Sequence, residues 1–141
     1  MTTRLDLCNC FAVRQAARAL TRDYERHLAP TGLTSNQFSI LVLVQEQPGI
    51  GMRELAERMV MDRTSLVRAL KPLERDGLLT VGASPTDSRQ NAYRLTPAGT
   101  KRQSAASALW QVAQDEFVAR FGGEAEAEAA RQTLLCMSQV E

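Results

Sequence analysis

The 141-residue chain has a single histidine, no glycine-rich phosphate cradle and no serine or cysteine set by spacing beside a base, which argues against an enzyme and against a bound cofactor. Aromatic residues make up only 5% of it, while Ala and Leu are abundant. These two lose little side-chain entropy in helices, so a mainly α fold is expected and an all-β sandwich is not. No apolar run approaches the ~18 residues of a membrane span, and the start MTTRLDLCNC lacks the apolar core of a secretory leader. A cytoplasmic protein with no membrane partner is expected. Three cysteines cannot close a full set of intrachain disulfides, and a reducing compartment keeps them as thiols. The formal charge is +1, so the overall balance implies no polyanionic partner. The length is that of one domain of ~100 to 150 residues.

The distribution of charge says more than its sum. From Arg53 to Arg102 there are ten basic and six acidic residues, a net of +4, whereas Gln103 to Glu141 holds two basic and six acidic, a net of −4. A moderately basic middle suited to phosphates is therefore flanked by segments with another task.

Apolar residues at Val13, Ala17, Leu20, Tyr24 and Leu28 follow helical spacing and predict a long amphipathic helix from about Asp6 to Leu28, ended by Pro30 and Gly32. Thr34 is an expected N-cap, with Gln37 completing a capping box for a helix through Ile40, Leu43 and Val44. Pro48-Gly49-Ile50-Gly51 reads as a break. Met52 to Met59 is a short helix with Leu55, Ala56 and Met59 inward. Asp62 then caps a further helix, its carboxylate within reach of the amides at Thr64 or Ser65, and that helix ends near Asp76-Gly77. Beyond Gly77 the period changes: Leu78 to Val81 and Asn91 to Leu95 are strands joined by a loop over Gly82 to Gln90, a β-hairpin with a long tip. Thr96-Pro97 opens a helix to about Phe121, with Leu109, Val112, Phe117 and Phe121 on one stripe. After Gly122-Gly123 a last helix runs from Glu124 to about Gln139, its acidic first turn suiting the helix dipole and Leu134, Met137 and Val140 following.

This order is a winged helix-turn-helix, residues 31–96, with N- and C-terminal helices, residues 1–30 and 97–141, left over as a dimerisation region. A two-fold homodimer hides such apolar stripes twice. It also places two recognition helices roughly 34 Å apart, matching a pseudo-palindromic double-stranded DNA operator. In the recognition segment Leu66, Leu70 and Leu73 face inward, leaving Thr64, Ser65, Arg68 and Lys71 outward. Arg63 and Arg68 suit guanine edges or phosphates, and Thr64 and Ser65 suit bases or backbone. The plain alternative is a solvated, charged helix face.

The chain resembles the MarR group of bacterial winged-helix transcription regulators. The resemblance is carried by Gly32-Leu33-Thr34 with Gln37-Phe38, by Leu55-Ala56-Glu57-Arg58 and by Met61-Asp62-Arg63-Thr64-Ser65-Leu66-Val67-Arg68 leading to Leu73-Glu74-Arg75-Asp76-Gly77-Leu78. Asp87-Ser88-Arg89 before Leu95-Thr96-Pro97-Ala98-Gly99 completes it. It implies a repressor whose wing arginine, Arg89, enters a minor groove while Asp87 fixes the wing. It also implies a small aromatic or phenolic effector in a crevice between the dimer helices and the DNA-binding lobe, where Arg14, Arg18, Phe38 and Trp110 are candidates.

The cysteines carry a second reading. Cys10-Phe11 and Cys136 resemble the layout of the family's organic-peroxide sensors, which place a reactive cysteine followed by Phe early in the first helix, some pairing it with a second cysteine near the far end of the partner subunit. Ser35 and Phe38 stand where those sensors have tyrosines, a departure from the pattern. A zinc-type site from Cys8, Cys10, Cys136 and His27 is disfavoured, because Cys-x-Cys on a helix points its thiols about 200° apart. No metal is expected. A helical dimeric scaffold without DNA binding is the reading from another class, separated from a regulator by the salt dependence of duplex binding.

Overall fold

The computed structural model describes residues 2–139. In chain order the elements are α1 (Asn9–Leu28), α2 (Ser35–Glu46), β1 (Ile50–Gly51), α3 (Met52–Met59), α4 (Arg63–Arg75), β2 (Leu79–Ala83), β3 (Asn91–Leu95), α5 (Pro97–Arg120) and α6 (Glu124–Met137). Val140, expected to continue the apolar side of α6, lies outside the described residues. Among the described residues no helix is long and apolar enough to cross a membrane.

Local chemistry explains most boundaries. The expected capping box is present: Thr34 Oγ1 accepts from the Gln37 amide at 3.2 Å while Gln37 Oε1 accepts from the Thr34 amide at 3.0 Å. Thr96 caps α5 by accepting the Gly99 amide, and Pro97 occupies the first turn, where its missing N–H costs nothing. Helix α4 stops at a Schellman turn: Gly77 is left-handed at φ 71°, and the Leu78 and Gly77 amides donate to the carbonyls of Leu73 and Glu74.

Three expectations are corrected. The first helix begins at Asn9, because Cys8 is extended and its sulfur accepts the Phe11 amide at 3.4 Å; Leu5–Leu7 forms a separate 3-10 turn. The Pro48–Gly51 break contains a strand, β1, which pairs antiparallel with β3 so that the sheet has three strands in the order β1-β3-β2. Two residues are too few to show a period, and the pairing is anchored by the Gly49 amide on the Tyr93 carbonyl at 2.8 Å. The expected stripe of α5 is split: its buried positions are Gly99, Gln103, Ala106 and Ala113, Leu109 and Phe117 are half-buried, Val112 is exposed on another face, and Phe121 is exposed as the C-cap just past the last helical residue, Arg120.

The core lies in the middle of the chain. Leu33, Phe38, Ile40, Leu41, Val44, Ile50, Leu55, Leu66, Leu70, Leu73, Leu78, Leu79 and Tyr93 close together, with Leu28 and Ala106 entering from α1 and α5. This packing holds α4 against α2 and presents its other face outward. Gly99 sits where α5 crosses the hairpin, so close to Leu78 that a Cβ would collide with its carbonyl oxygen.

Candidate DNA-binding surface and effector crevice

Helix α4 is fixed at its start by Asp62, which accepts from the Ser65 amide and the Ser65 hydroxyl, both at 2.8 Å. The Ser65 amide first, and its hydroxyl next, hold the Asp62 carboxyl below the usual carboxylate range. Leu66, Leu70 and Leu73 are buried as expected, which fixes the rotation of the helix about its axis. Arg63, Thr64, Arg68 and Lys71 are exposed. Neither arginine nor Lys71 has an ion-pair partner among the described residues, so three cationic heads and a hydroxyl face outward unspent. Ser65 differs from the other candidates: half-buried, its hydroxyl proton is committed to Asp62 and holds the helix start.

The hairpin tip is built around Asp87. Its Oδ1 accepts from the Arg89 amide at 3.0 Å and from Arg89 Nε at 3.3 Å, while its carbonyl accepts the Gln90 amide. The Arg89 side chain is nevertheless 89% exposed. A single bond through Nε aims the guanidinium while leaving its two terminal nitrogens free, so the pair orients the arginine rather than neutralising it within the wing. As an exposed ion pair it adds little stability.

A crevice of about 620 Å³ lies between α2, α3 and α5, a volume that fits small organic ligands. Phe38 and Trp110 line it, their ring centroids 6.4 Å apart. Two of the four sequence candidates are thus brought together. Arg14 and Arg18 do not join them: both are exposed on the first half of α1, away from the crevice lining. The cation on the lining is Arg58, whose Nη2 donates to Glu46 at 2.9 Å across α2 and α3. Gln103, buried and polar, also lines it and donates to the Ser107 hydroxyl at 2.9 Å. Sequence reasoning missed both; a glutamine at the i, i+3 spacing of Ala106 within an inward helix face is the signal for Gln103.

The three cysteines are free thiols, Cys8 half-buried as the α1 cap, Cys10 and Cys136 exposed. Among the described residues no group of three or more His, Cys, Asp or Glu is gathered for a metal.

Residues 33–90, from α2 through the wing tip, match the sequence profile of the MarR family. In a crystal structure with DNA, the M. tuberculosis transcriptional regulator MosR is 36% identical, each chain 94% covered, with a TM-score of 0.83. The chain belongs to the MarR family. It is a DNA-binding transcription regulator with a mainly α winged-helix fold, and its relatives are regulators rather than enzymes. CouR from Rhodococcus jostii RHA1, solved with p-coumaroyl-CoA, is 25% identical over 99% of this chain and 98% of its own, at a TM-score of 0.82. CouR has also been solved on a 23-mer DNA duplex. A transcriptional regulatory protein for the hcr operon of Thauera aromatica is 29% identical over 89% of this chain and 73% of its own length. Of two other curated regulators that match, the chain spans only 49% and 61% of the length.

Proposed function

We propose that this MarR-family regulator is a repressor that binds a pseudo-palindromic operator as a homodimer and releases it when a small aromatic or phenolic ligand fills the crevice beside Phe38 and Trp110. The observation that carries the DNA reading is the outward face of α4. Its rotation is set by three buried leucines and its start by Asp62, while Arg63, Arg68 and Lys71 have no partner within the described chain. Arg63 and Thr64 are assigned to base edges, Arg68 and Lys71 to bases or phosphates, Ser65 to the helix start, and Arg89, aimed by Asp87, to the adjacent minor groove. Residues 31–96 form the DNA-binding lobe, and residues 1–30 with 97–141 form the dimerisation region.

Support for the dimer comes from α1. From Asn9 to Ala19 every residue except half-buried Phe11 is exposed, Val13 included. This half of α1 extends past the part that packs on α5, and a helix stretch without packing gains little stability in water, which favours a second copy covering it. Leu134, Leu135 and Met137 of α6 are exposed as well. Ligand in the crevice would act by preferring the spacing of the two lobes that does not fit the operator.

The test is selection of bound sequences from random duplex, followed by anisotropy titration of the selected site at several salt concentrations. A two-fold symmetric site is expected, with a log-log salt slope lowered by about one unit and affinity reduced about tenfold or more in Arg89→Ala. An unchanged slope and affinity in that variant removes the wing from the interface. Exposure of Cys10 and Cys136 favours a second reading. A hydroperoxide oxidises the Cys10 thiolate to a sulfenic acid, which condenses with the thiol of Cys136 of the partner subunit to give a disulfide and water. A hydroperoxide-dependent dimer band in non-reducing electrophoresis, lost in Cys136→Ser, supports it; its absence discards it.

A further inference from the structure

A second cleft, of about 570 Å³, lies between α1 and the end of α5, apart from both the DNA surface and the effector crevice. Its apolar wall includes Phe117 and Phe121, stacked with centroids 5.3 Å apart, and Phe121 remains 49% exposed. Its rim carries Arg22, Arg26 and Arg120 around Asp23. Asp23 accepts from both Arg26 and Arg120, while Arg22 has no ion-pair partner among the described residues. Two guanidiniums therefore share one carboxylate and a third stands unpaired beside an exposed aromatic pair. Such a cleft calls for a ligand with an acidic group flanked by apolar ones.

The chain carries that pattern at its start. Leu5–Leu7 is a 3-10 turn with Leu5 55% and Leu7 69% exposed, and Asp6 between them. The described partner of Asp6 is its neighbour Arg4 at 2.6 Å, an exposed pair that contributes little and is readily exchanged. The turn cannot reach the cleft of its own chain. Cys8 caps α1, the helix runs unbroken from Asn9 to Leu28, and the 14 residues from Cys8 to Arg22 span about 21 Å at 1.5 Å per residue.

We propose that this cleft receives the Leu5-Asp6-Leu7 turn of a second copy of the chain, the leucines covering the stacked phenylalanines and the aspartate meeting Arg22. By two-fold symmetry each chain gives one arm and takes one. The inference rests on the homodimer proposed above and specifies how that dimer is clasped: at the ends of the long helices, by a short exchanged turn whose acid sets its position along the cleft. The exposed first half of α1 is then the shaft that carries the arm across.

Two measurements test it. In a Cys8→Ser, Cys10→Ser, Cys136→Ser background, full-length chains bearing Leu7→Cys are mixed with chains bearing Phe121→Cys and mildly oxidised. A covalent dimer between the two chain types is expected, and a far weaker one when Val60→Cys, more exposed than Phe121 but on the turn between α3 and α4, replaces Phe121→Cys. In sedimentation equilibrium Asp6→Arg is expected to raise the dimer dissociation constant about tenfold or more, and adding Arg22→Asp to restore it. A wild-type chain that is monomeric throughout would overturn the homodimer and this inference together. A wild-type dimer with no cross-link above the Val60 control, and with dimerisation unaltered by Asp6→Arg, would leave the dimer standing and overturn the placement of the arm.

Discussion

The middle of the chain and its two ends bury their apolar residues to very different degrees. From α2 to β3 the large aliphatic side chains Ile40, Leu41, Val44, Leu55, Leu66, Leu70 and Leu73 are essentially inaccessible. Along α1, α5 and α6 the fully buried positions are mostly small, Ala106, Ala113 and Ala127, while Val13, Val112, Phe121, Leu134, Leu135 and Met137 remain in solvent. The middle completes its core within one chain. The ends hold an apolar surface that one chain does not finish; in the proposed homodimer their stability would be tied to association and their arrangement could respond to it. That asymmetry suits a regulator: a rigid reading head on supports that can shift.

Four substitutions break or sharpen the contrast, beginning with the largest effect. Leu66→Ala should cost about 2 to 5 kcal/mol by opening a cavity under α4. Because Leu66 is completely buried within one chain, most of that cost should survive dilution in denaturant titrations, whereas the effect of Leu135→Ser should fade as the protein is diluted. Costs that depend equally on concentration would erase the distinction. Gly99→Ala acts at the joint between the two regions, where the new methyl meets the Leu78 carbonyl oxygen. A loss of about 1 to 3 kcal/mol in thermal unfolding is expected, the cost of overpacking a site lined by backbone. A stability equal to wild type would show that hairpin and α5 are loosely joined.

The smallest effect concerns Asp62. Its folded pKa is depressed, chiefly by the Ser65 amide, so its contribution is complete above the unfolded carboxylate value and is lost as pH falls through the folded one. Asparagine keeps the cap without the charge. The stability difference between wild type and Asp62→Asn should therefore shrink as pH is lowered below about 4, the carboxylate range. A difference constant across that range would mean that the charge plays no part in holding the start of α4.

Local signals in the sequence account for what was legible. Thr34, Asp62 and Thr96 announced the starts of α2, α4 and α5, because a capping side chain bonds an amide only two or three residues away. The 3.6-residue period placed Leu66, Leu70 and Leu73 inside, and with them Arg63, Thr64, Arg68 and Lys71 outside. The wing pair Asp87 and Arg89 was legible only through the family resemblance, and the structure joins the two by hydrogen bonds from the Arg89 amide and Nε.

Whatever joins distant parts of the chain was decided by the tertiary structure. Residues 50 and 51 became a strand only because β3 ran alongside them. The stripe expected on α5 was divided because one helix faces both α2 and solvent, and hydropathy alone does not rank its two apolar sides. Arg58 reached the crevice beside Phe38 and Trp110 through packing of α3 on α2, while Arg14 and Arg18, whose spacing suggested a carboxylate clamp, were left on the open half of α1. Capping and periodicity act over a few residues and are written in the order of the chain. A cleft is a relation between surfaces tens of residues apart, and it exists only once the core has fixed how those surfaces meet.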